Sequence, residues 1–372
     1  MKILVLNWQD IKNPLGGGAE VHLHEIFKRI AVQGHSVTLF CCSFAGAKRE
    51  EWVDGIQVLR EGHRSVFNFL VAPRYRSHFR HQQFDVVVDD INKIPFYTPW
   101  YVKEPLVGIV HHFFGKSIFL EASLPAAMYV AAAEKLAARV YRDAPLAVVS
   151  ESTRQELIEL GFAEEKMFIV PNCVDHSSYR PAERLEVTRP VVGHLGRLKQ
   201  YKSVDHLLRA FQIVNQEVPE ARLVIVGEGD YRSELERLTR TLGLTHAVQF
   251  TGYLTKEDTV QQLHQMSLAV SCSIKEGWGL TVIEANACGV PVIASDVPGL
   301  RDSVVDEKTG LLYEYGNIEQ LAQKILLLLR DRHLRTRLRN EAITWARSFN
   351  WDESAKKMID VMEQVRRRER GR

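Results

Sequence analysis

Short apolar runs recur along this chain, most of them followed by a helical pattern, and that alternation constrains the fold more than any other feature. Residues 3–6, 37–41, 86–88, 107–110 and 147–149 form one set of runs. Residues 191–195, 223–226, 248–250, 268–270 and 290–294 form a second set. The runs show no polar alternation, as expected of strands buried on both faces of a parallel sheet. Helical patterns at 19–33, 204–215, 231–242 and 280–288 lie between them. The β-α-β-α order predicts an α/β chain of doubly wound, Rossmann-like type.

The two sets are separated by a polar, proline-bracketed stretch from Pro171-Asn172-Cys173-Val174-Asp175 to Thr188-Arg189-Pro190. The boundary is expected near residue 176, giving domains over 1–176 and 177–350 and a final helix from 351. A length of 372 residues suits two domains of this size. Charge is nearly balanced, 48 Lys and Arg against 46 Asp and Glu, which argues against a dedicated nucleic-acid binder. The balance is uneven, because residues 330–372 hold 13 basic against 7 acidic side chains. The five cysteines cannot all pair, and their spacing fits no zinc site. They read as small buried hydrophobes in a reducing cytoplasm. Residues 1–7 read as a strand start rather than a signal peptide, and no apolar run reaches the ~18 residues of a membrane span.

Three segments carry chemistry. Gly16-Gly17-Gly18-Ala19-Glu20 follows the first strand and opens a helix, where bare backbone and unpaired N–H groups can approach an anion. Gly196-Arg197-Leu198-Lys199-Gln200-Tyr201-Lys202 joins a strand to a helix with cations that suit a diphosphate. Glu276-Gly277-Trp278-Gly279-Leu280-Thr281-Val282-Ile283-Glu284 places two carboxylates on either side of a glycine-flanked helix start. Helix N–H groups can take an anion there, and the carboxylates can accept hydrogen bonds from vicinal hydroxyls. Nucleotide sugars present both.

Together these segments resemble the family-four retaining glycosyltransferases of GT-B fold. The resemblance covers essentially the whole chain. It extends to Val110-His111, Val149-Ser150, Pro171-Asn172-Cys173-Val174-Asp175, Ala287-Cys288-Gly289-Val290-Pro291, Thr309-Gly310-Leu311-Leu312 and Phe349-Asn350-Trp351-Asp352. Two positions depart from the family pattern, Cys173 and Ser203, each standing where glycine is usual. His112 stands where an acid is common.

The resemblance implies two Rossmann-like domains facing across a cleft, with residues 351–372 crossing back to the N-terminal domain. It implies that Arg197 and Lys202 hold the donor diphosphate and that Glu284 binds the ribose. Glu276 would contact the transferred sugar, helped by backbone from Gly277, Trp278, Gly279, Leu280 and Thr281. Tyr253 and Leu254 would flank the base. Gly17 and Gly18 would approach the phosphates and acceptor, and His111 the sugar or acceptor. The implied reaction moves a hexose-type sugar from a nucleotide-diphosphate sugar to a hydroxyl of a glycan or lipid-linked acceptor. The anomeric configuration would be retained. Fixed cations and a helix N-terminus stabilise the departing diphosphate, so no metal or other cofactor is expected. The chain contains no D-x-D; Asp89-Asp90 reads as a structural or helix-capping pair.

Residues 60–81 hold five Arg and one Glu interleaved with Phe67, Phe69, Tyr75 and Phe79. Such a segment can dock an anionic membrane surface, placing the protein at the inner face of the cytoplasmic membrane in cell-envelope polysaccharide synthesis. The same segment also reads as a core helix with a solvated basic flank. Phe113-Phe114 and residues 118–120 add apolar groups after His111. Competing readings are a nucleotide-sugar 2-epimerase, a glycan phosphorylase, and a non-catalytic GT-B partner subunit. A dehydrogenase is disfavoured, since Val226-Gly227-Glu228-Gly229-Asp230 has G-x-G without the third glycine.

Overall fold

A computed structural model describes residues 1–92, 94–182 and 189–370. The chain forms two compact units, residues 1–172 with 351–372, and residues 173–350. The division falls four residues before the expected boundary, at Asn172/Cys173. Asp175 shows why the second unit starts early. Its carboxylate accepts from Ser177 N at 3.1 Å and lies 3.3 Å from Lys256 Nζ, both in the second unit.

The first unit is built on an eight-stranded sheet. Its strands are β1 (Lys2–Leu6), β2 (Ser36–Cys41), β3 (Glu50–Val53), β4 (Ile56–Arg60), β5 (Val86–Ile91), β6 (Leu106–Val110), β7 (Leu146–Val148) and β8 (Met167–Ile169). The spatial order is β3-β4-β2-β1-β5-β6-β7-β8. All pairings are parallel except β3 with β4. The parallel centre is buried on both faces, with Ile3, Leu4, Val5 and Leu6 all fully enclosed. The pattern of apolar runs does not anticipate the β3–β4 hairpin, although Asp54-Gly55 announces it. Both residues have positive φ, 47° and 82°, as a tight type I′-like hairpin turn demands. Helix α1 (Gly18–Val32) follows β1, α2 (Phe67–Ser77) follows β4 and α3 (Leu124–Val140) follows β6. The C-terminal helix, Trp351–Arg370, belongs to this unit. Arg29 Nε meets Asp352 at 2.7 Å, and Ser354 Oγ donates to Pro171 O at 2.9 Å.

Of the two readings of the basic–aromatic segment, the core helix with a basic flank describes its aromatic residues. Phe67, Val71, Tyr75 and Phe79 are fully buried in the core with Phe40 and Trp8. Arg60 is 1 % exposed and pairs with Asp10. Helical spacing turns one aromatic face inward, so Phe69 is the one aromatic of the four left outside, at 66 % exposure. Phe113 and Ile118 are buried too, whereas Phe119 and Leu120 remain exposed.

The second unit is a six-stranded, all-parallel sheet in the order β11-β10-β9-β12-β13-β14. Its strands are β9 (Val191–Leu195), β10 (Arg222–Val226), β11 (Val248–Gly252), β12 (Leu268–Ser271), β13 (Val292–Ser295) and β14 (Gly310–Tyr313). Helices α4 (Val204–Glu217), α5 (Leu280–Ala287), α6 (Ile318–Arg330) and α7 (Arg332–Arg347) matter below. Leu207, Leu208, Phe211 and Val214 of α4 join Leu321, Ile325 and Leu328 of α6 in one core over the sheet. All five cysteines are buried thiols.

Candidate active site

In the second unit the Gly196–Lys202 and Glu276–Glu284 segments both follow the C-terminal ends of strands, β9 and β12, where open α/β sheets bind ligands. The basic loop leaves β9 at Gly196, passes the exposed Arg197 and reaches Lys202 in a single 3-10 turn before α4. Ser203 then takes φ 49°, a left-handed conformation that explains why glycine suits this position. Its hydroxyl compensates in part through Tyr315 OH at 3.0 Å. Cys173, the other departure from the family pattern, is buried without positive φ.

Lys202 Nζ forms an ion pair with Glu276, which also accepts from Ser273 Oγ at 2.6 Å. The two side chains are 16 % and 17 % exposed, so the pair is largely desolvated. Burial opposes the charge on Lys202, but the Glu276 carboxylate outweighs it and raises the amine above its ordinary pKa. Beside them His194 is buried. Its Nδ1 lies 3.0 Å from Val270 O and must be the protonated nitrogen, since a carbonyl only accepts. Burial first, with the charge of Lys202 assisting, lowers its pKa to about 4. Nε2 is therefore a bare acceptor, without a partner among the described residues.

Glycines shape this pocket by letting backbone approach backbone. Gly279 caps α5 at φ 85°, and a Cβ there would lie 2.9 Å from Leu300 and Ser303 side chains. A Cβ on Gly299 would sit 2.2 Å from Glu276 O, so the 298–299 turn backs the Glu276 loop directly. Gly227 and Gly229 have the same purpose. A Cβ on them would lie 2.0 Å from Gly196 O and 2.1 Å from Leu198 O. The truncated G-x-G is thus a seat for the basic loop.

Glu284 projects from the second turn of α5, where Tyr179 donates a hydrogen bond to it. Burial pushes this carboxyl up to about 7, against the hydrogen bond from Tyr179 and the charge of Lys256. Tyr179 precedes its partner by more than 100 residues and lies outside every motif, so only the fold identifies it. Gly277 and Trp278 are buried, and Trp278 packs edge-on against Phe349 at 4.9 Å. Its indole is an anchor for the loop, so only its backbone faces the expected role. Leu280 and Thr281 are partly exposed, as is Leu254, and Tyr253 stands 80 % exposed just beyond β11.

In the first unit, Gly17 is the N-cap of α1. Its N–H donates to Glu20 at 2.6 Å, so this donor is already committed to the protein. Gly18 keeps open space on its Cβ side. The long loop before them is pinned by the buried Asp10–Arg60 pair. His111 immediately follows β6, with Nε2 3.1 Å from Asp90 Oδ1 on the adjoining strand β5. The ring of His22 stands edge-on to it at 5.1 Å. Burial, then the neighbouring His111, lowers His22 to about 3.

Asp89 and Asp90 point to opposite faces of β5, as successive strand residues must. Asp89 accepts from Thr98 Oγ1 at 2.5 Å and Tyr141 OH at 2.6 Å and is fully buried, while burial raises it to about 6. Neither aspartate caps a helix. Asp89 is structural and Asp90 is the partner of His111. No cluster of three or more His, Cys, Asp or Glu side chains suited to a metal ion occurs among the described residues. No helix there is long and apolar enough to cross a membrane.

Comparisons with known proteins agree with this architecture. Residues 175–345 match the family described as glycosyl transferases group 1, and residues 16–178 match glycosyltransferase family 4. A curated relative, D-inositol 3-phosphate glycosyltransferase of Nocardia farcinica, is 32% identical over 234 residues, covering 59% of this chain. The match spans about half, 52%, of that relative's own length. Sucrose-phosphate synthase from Thermosynechococcus elongatus superposes with a TM-score of 0.81 at 21% identity, over 98% of this chain and 99% of that one. Anabaena HepE, in complex with UDP and glucose, gives a TM-score of 0.78 at 21% identity, over 98% and 100% of the two chains. Two parallel-sheet α/β units and matches that together run from residue 16 to 345 lead to one conclusion: the chain belongs to the group 1 glycosyltransferases, with the GT-B fold.

Proposed function

We propose that the protein is a retaining hexosyltransferase that uses a nucleotide-diphosphate sugar and needs no metal. The observation that carries this reading is the desolvated Lys202–Glu276 pair beside the start of α5, with Glu284 and Tyr179 deeper in the same unit. In the reading, the donor diphosphate takes Lys202 and Arg197 as counter-charges. The N–H groups after Gly279 face the phosphates or the sugar, and Glu276 accepts from sugar hydroxyls. Glu284 accepts from the ribose. HepE binds UDP and glucose, which supports a donor of that class here.

The chemistry then follows from charge. Cleavage of the glycosyl–phosphate bond leaves both electrons on the diphosphate oxygen, and the two cations with the helix N-terminus stabilise the growing charge. The acceptor hydroxyl attacks the anomeric carbon from the face the phosphate leaves. Its proton passes to the departing phosphate oxygen, so the configuration is retained. His111, oriented by Asp90, contacts the sugar or acceptor, with Gly17 and Gly18 of the same unit approaching the phosphates and acceptor. The acceptor is a hydroxyl of a glycan or a lipid-linked saccharide. A phosphorylated inositol is acted on by one relative, by its name, and supports an anionic acceptor. Exposed Phe69, Arg64, Arg76 and Arg80 support peripheral docking at the inner face of the cytoplasmic membrane, which anionic liposome sedimentation at low and high salt tests.

A thermal-shift screen of UDP-, GDP- and ADP-sugars tests the donor assignment, because a ligand that binds the native state raises the melting temperature. One donor class should stabilise the wild type and not Lys202→Ala. Silence across all three would remove the enzymatic reading in favour of a non-catalytic subunit. Product anomeric configuration by NMR, with and without EDTA, tests retention and metal independence.

A further inference from the structure

A cavity of about 730 Å³ opens in the second unit, and none of its lining residues is a donor-site residue named above. Pro190, Ser267 and Pro291 line it, and each immediately precedes a strand, β9, β12 or β13. The cavity therefore sits at the N-terminal ends of the sheet, whereas the donor site sits at the C-terminal ends. Among the described residues its charged lining is four arginines, Arg330, Arg332, Arg335 and Arg339, with His264 and one carboxylate, Glu220.

Three of these cations form no ion pair among the described residues, although the charge of the N-cap Asp331 favours that of Arg335. Arg330 pairs with Glu217 at 2.8 Å. Arg335 donates to the Leu328 and Leu329 carbonyls, and Arg339 to Ala182 O at 3.4 Å, which satisfies N–H groups but leaves the charge. No carboxylate among the described residues pairs with Arg332, Arg335 or Arg339. Burial, and then the field of Arg332, lowers the pKa of Arg335. The three stand at i, i+3 and i+7 of α7 and so share one face of the helix.

This placement runs against local preference. A helix N-terminus favours acids, yet the first turn of α7 has none, and Arg332 and Arg335 stand in its first four residues. The N-cap Asp331 uses its carboxylate on Leu334 N at 2.8 Å. A locally unfavourable arrangement beside a cavity is where a ligand is expected. Guanidinium groups recognise phosphate oxygens bidentately. The wall also carries apolar side chains, among them Met266, Val290 and Pro291.

We propose that this cavity binds a small organic molecule bearing at least two phosphate groups. The phosphates sit on Arg332, Arg335 and Arg339, and the organic body lies against Met266, Val290 and Pro291. It is a site separate from the donor site and does not depend on the reaction proposed above.

The test is isothermal titration calorimetry of the full chain with a nucleoside triphosphate and with inorganic triphosphate. Arg197→Gln/Lys202→Gln silences the donor site, and binding of the nucleoside triphosphate should persist in that variant. Adding Arg332→Gln/Arg339→Gln should weaken it at least tenfold, with an unchanged melting temperature in the absence of ligand. Arg332 is exposed, so Arg332→Gln alone keeps the fold and should weaken binding several-fold. Inorganic triphosphate should bind more weakly than the nucleoside form. Loss of all binding in Arg197→Gln/Lys202→Gln would overturn the proposal, as would unchanged binding in the arginine variants. Equal affinity for the two probes would overturn the role given to the apolar wall.

Discussion

The two units hold their functional polar groups in opposite ways. In the first, buried groups are tied to one another by protein alone: Asp89 to Thr98 and Tyr141, His111 to Asp90, Gly17 N–H to Glu20. In the second, Lys202 and Glu276 neutralise each other at a partly open surface, His194 offers an acceptor without a partner among the described residues, and Glu284 stands near its ionisation midpoint at neutral pH. The first arrangement costs a great deal to disturb and so holds its groups, His111 among them, in fixed orientations. The second is a set of groups whose partners a ligand can exchange. Both sets have protein partners, so what separates them is access: Asp89, Asp90 and His111 are enclosed, whereas the Lys202 and Glu276 side chains remain 16 % and 17 % exposed.

The largest test of that contrast is Lys202→Ala. We expect a loss of roughly 100-fold or more in kcat/KM, about 3 kcal/mol of transition-state stabilisation, with little loss of secondary structure. Wild-type kinetics would place the exchangeable cation elsewhere. Tyr141→Phe strikes the other unit. It strips one donor from buried Asp89 and should cost about 2 kcal/mol in urea denaturation, leaving donor-induced thermal shifts intact. A donor-binding defect without a stability loss would reverse the roles given to the two units.

Glu284 gives a smaller, pH-dependent effect. Its native pKa of about 7 lies above the ordinary carboxylate value, so the native state keeps a proton that the unfolded chain has already released. Its contribution to stability is therefore present at low pH and is lost as pH rises through about 7. Donor binding has the opposite slope, because ribose hydroxyls favour the ionised form. Affinity should fall roughly eightfold between about pH 7.5 and pH 6, by titration calorimetry, and Glu284→Gln should flatten that slope. A flat wild-type profile would remove the ribose role. The smallest effect is expected of Ser203→Gly. Relief of the left-handed strain is worth about 1 kcal/mol, offset in part by the lost bond to Tyr315, so the denaturation midpoint should rise slightly or stay level. A clear loss of stability would mean that the Ser203–Tyr315 bond outweighs the backbone strain.

Much of this was legible beforehand where the signal is local. The unalternated runs announced most of the parallel strands, and glycines before 280 announced the start of α5. The β3–β4 hairpin is written in Asp54-Gly55, a turn signal that a search for apolar runs does not register. For the aromatic segment within residues 60–81 the sequence left two readings open, because composition does not say which face of a helix turns inward, and the structure makes residues 67, 71, 75 and 79 core. Trp278 stood inside a ligand motif yet faces Phe349. Glu276 and Glu284 were readable as acids, but not their states: Lys202 meets Glu276 across 74 residues, and Tyr179 meets Glu284 from outside every motif.

By itself the sequence determined the α/β alternation, the glycine-bearing turns and the identity of the charged side chains, because periodicity and φ preference act between near neighbours. Tertiary structure alone decided which cations found carboxylates, which aromatics became core, and that three arginines at the far end of the second sheet found none among the described residues. Those outcomes depend on desolvation and on pairings between residues far apart in the chain, and neither is written in any short stretch of it.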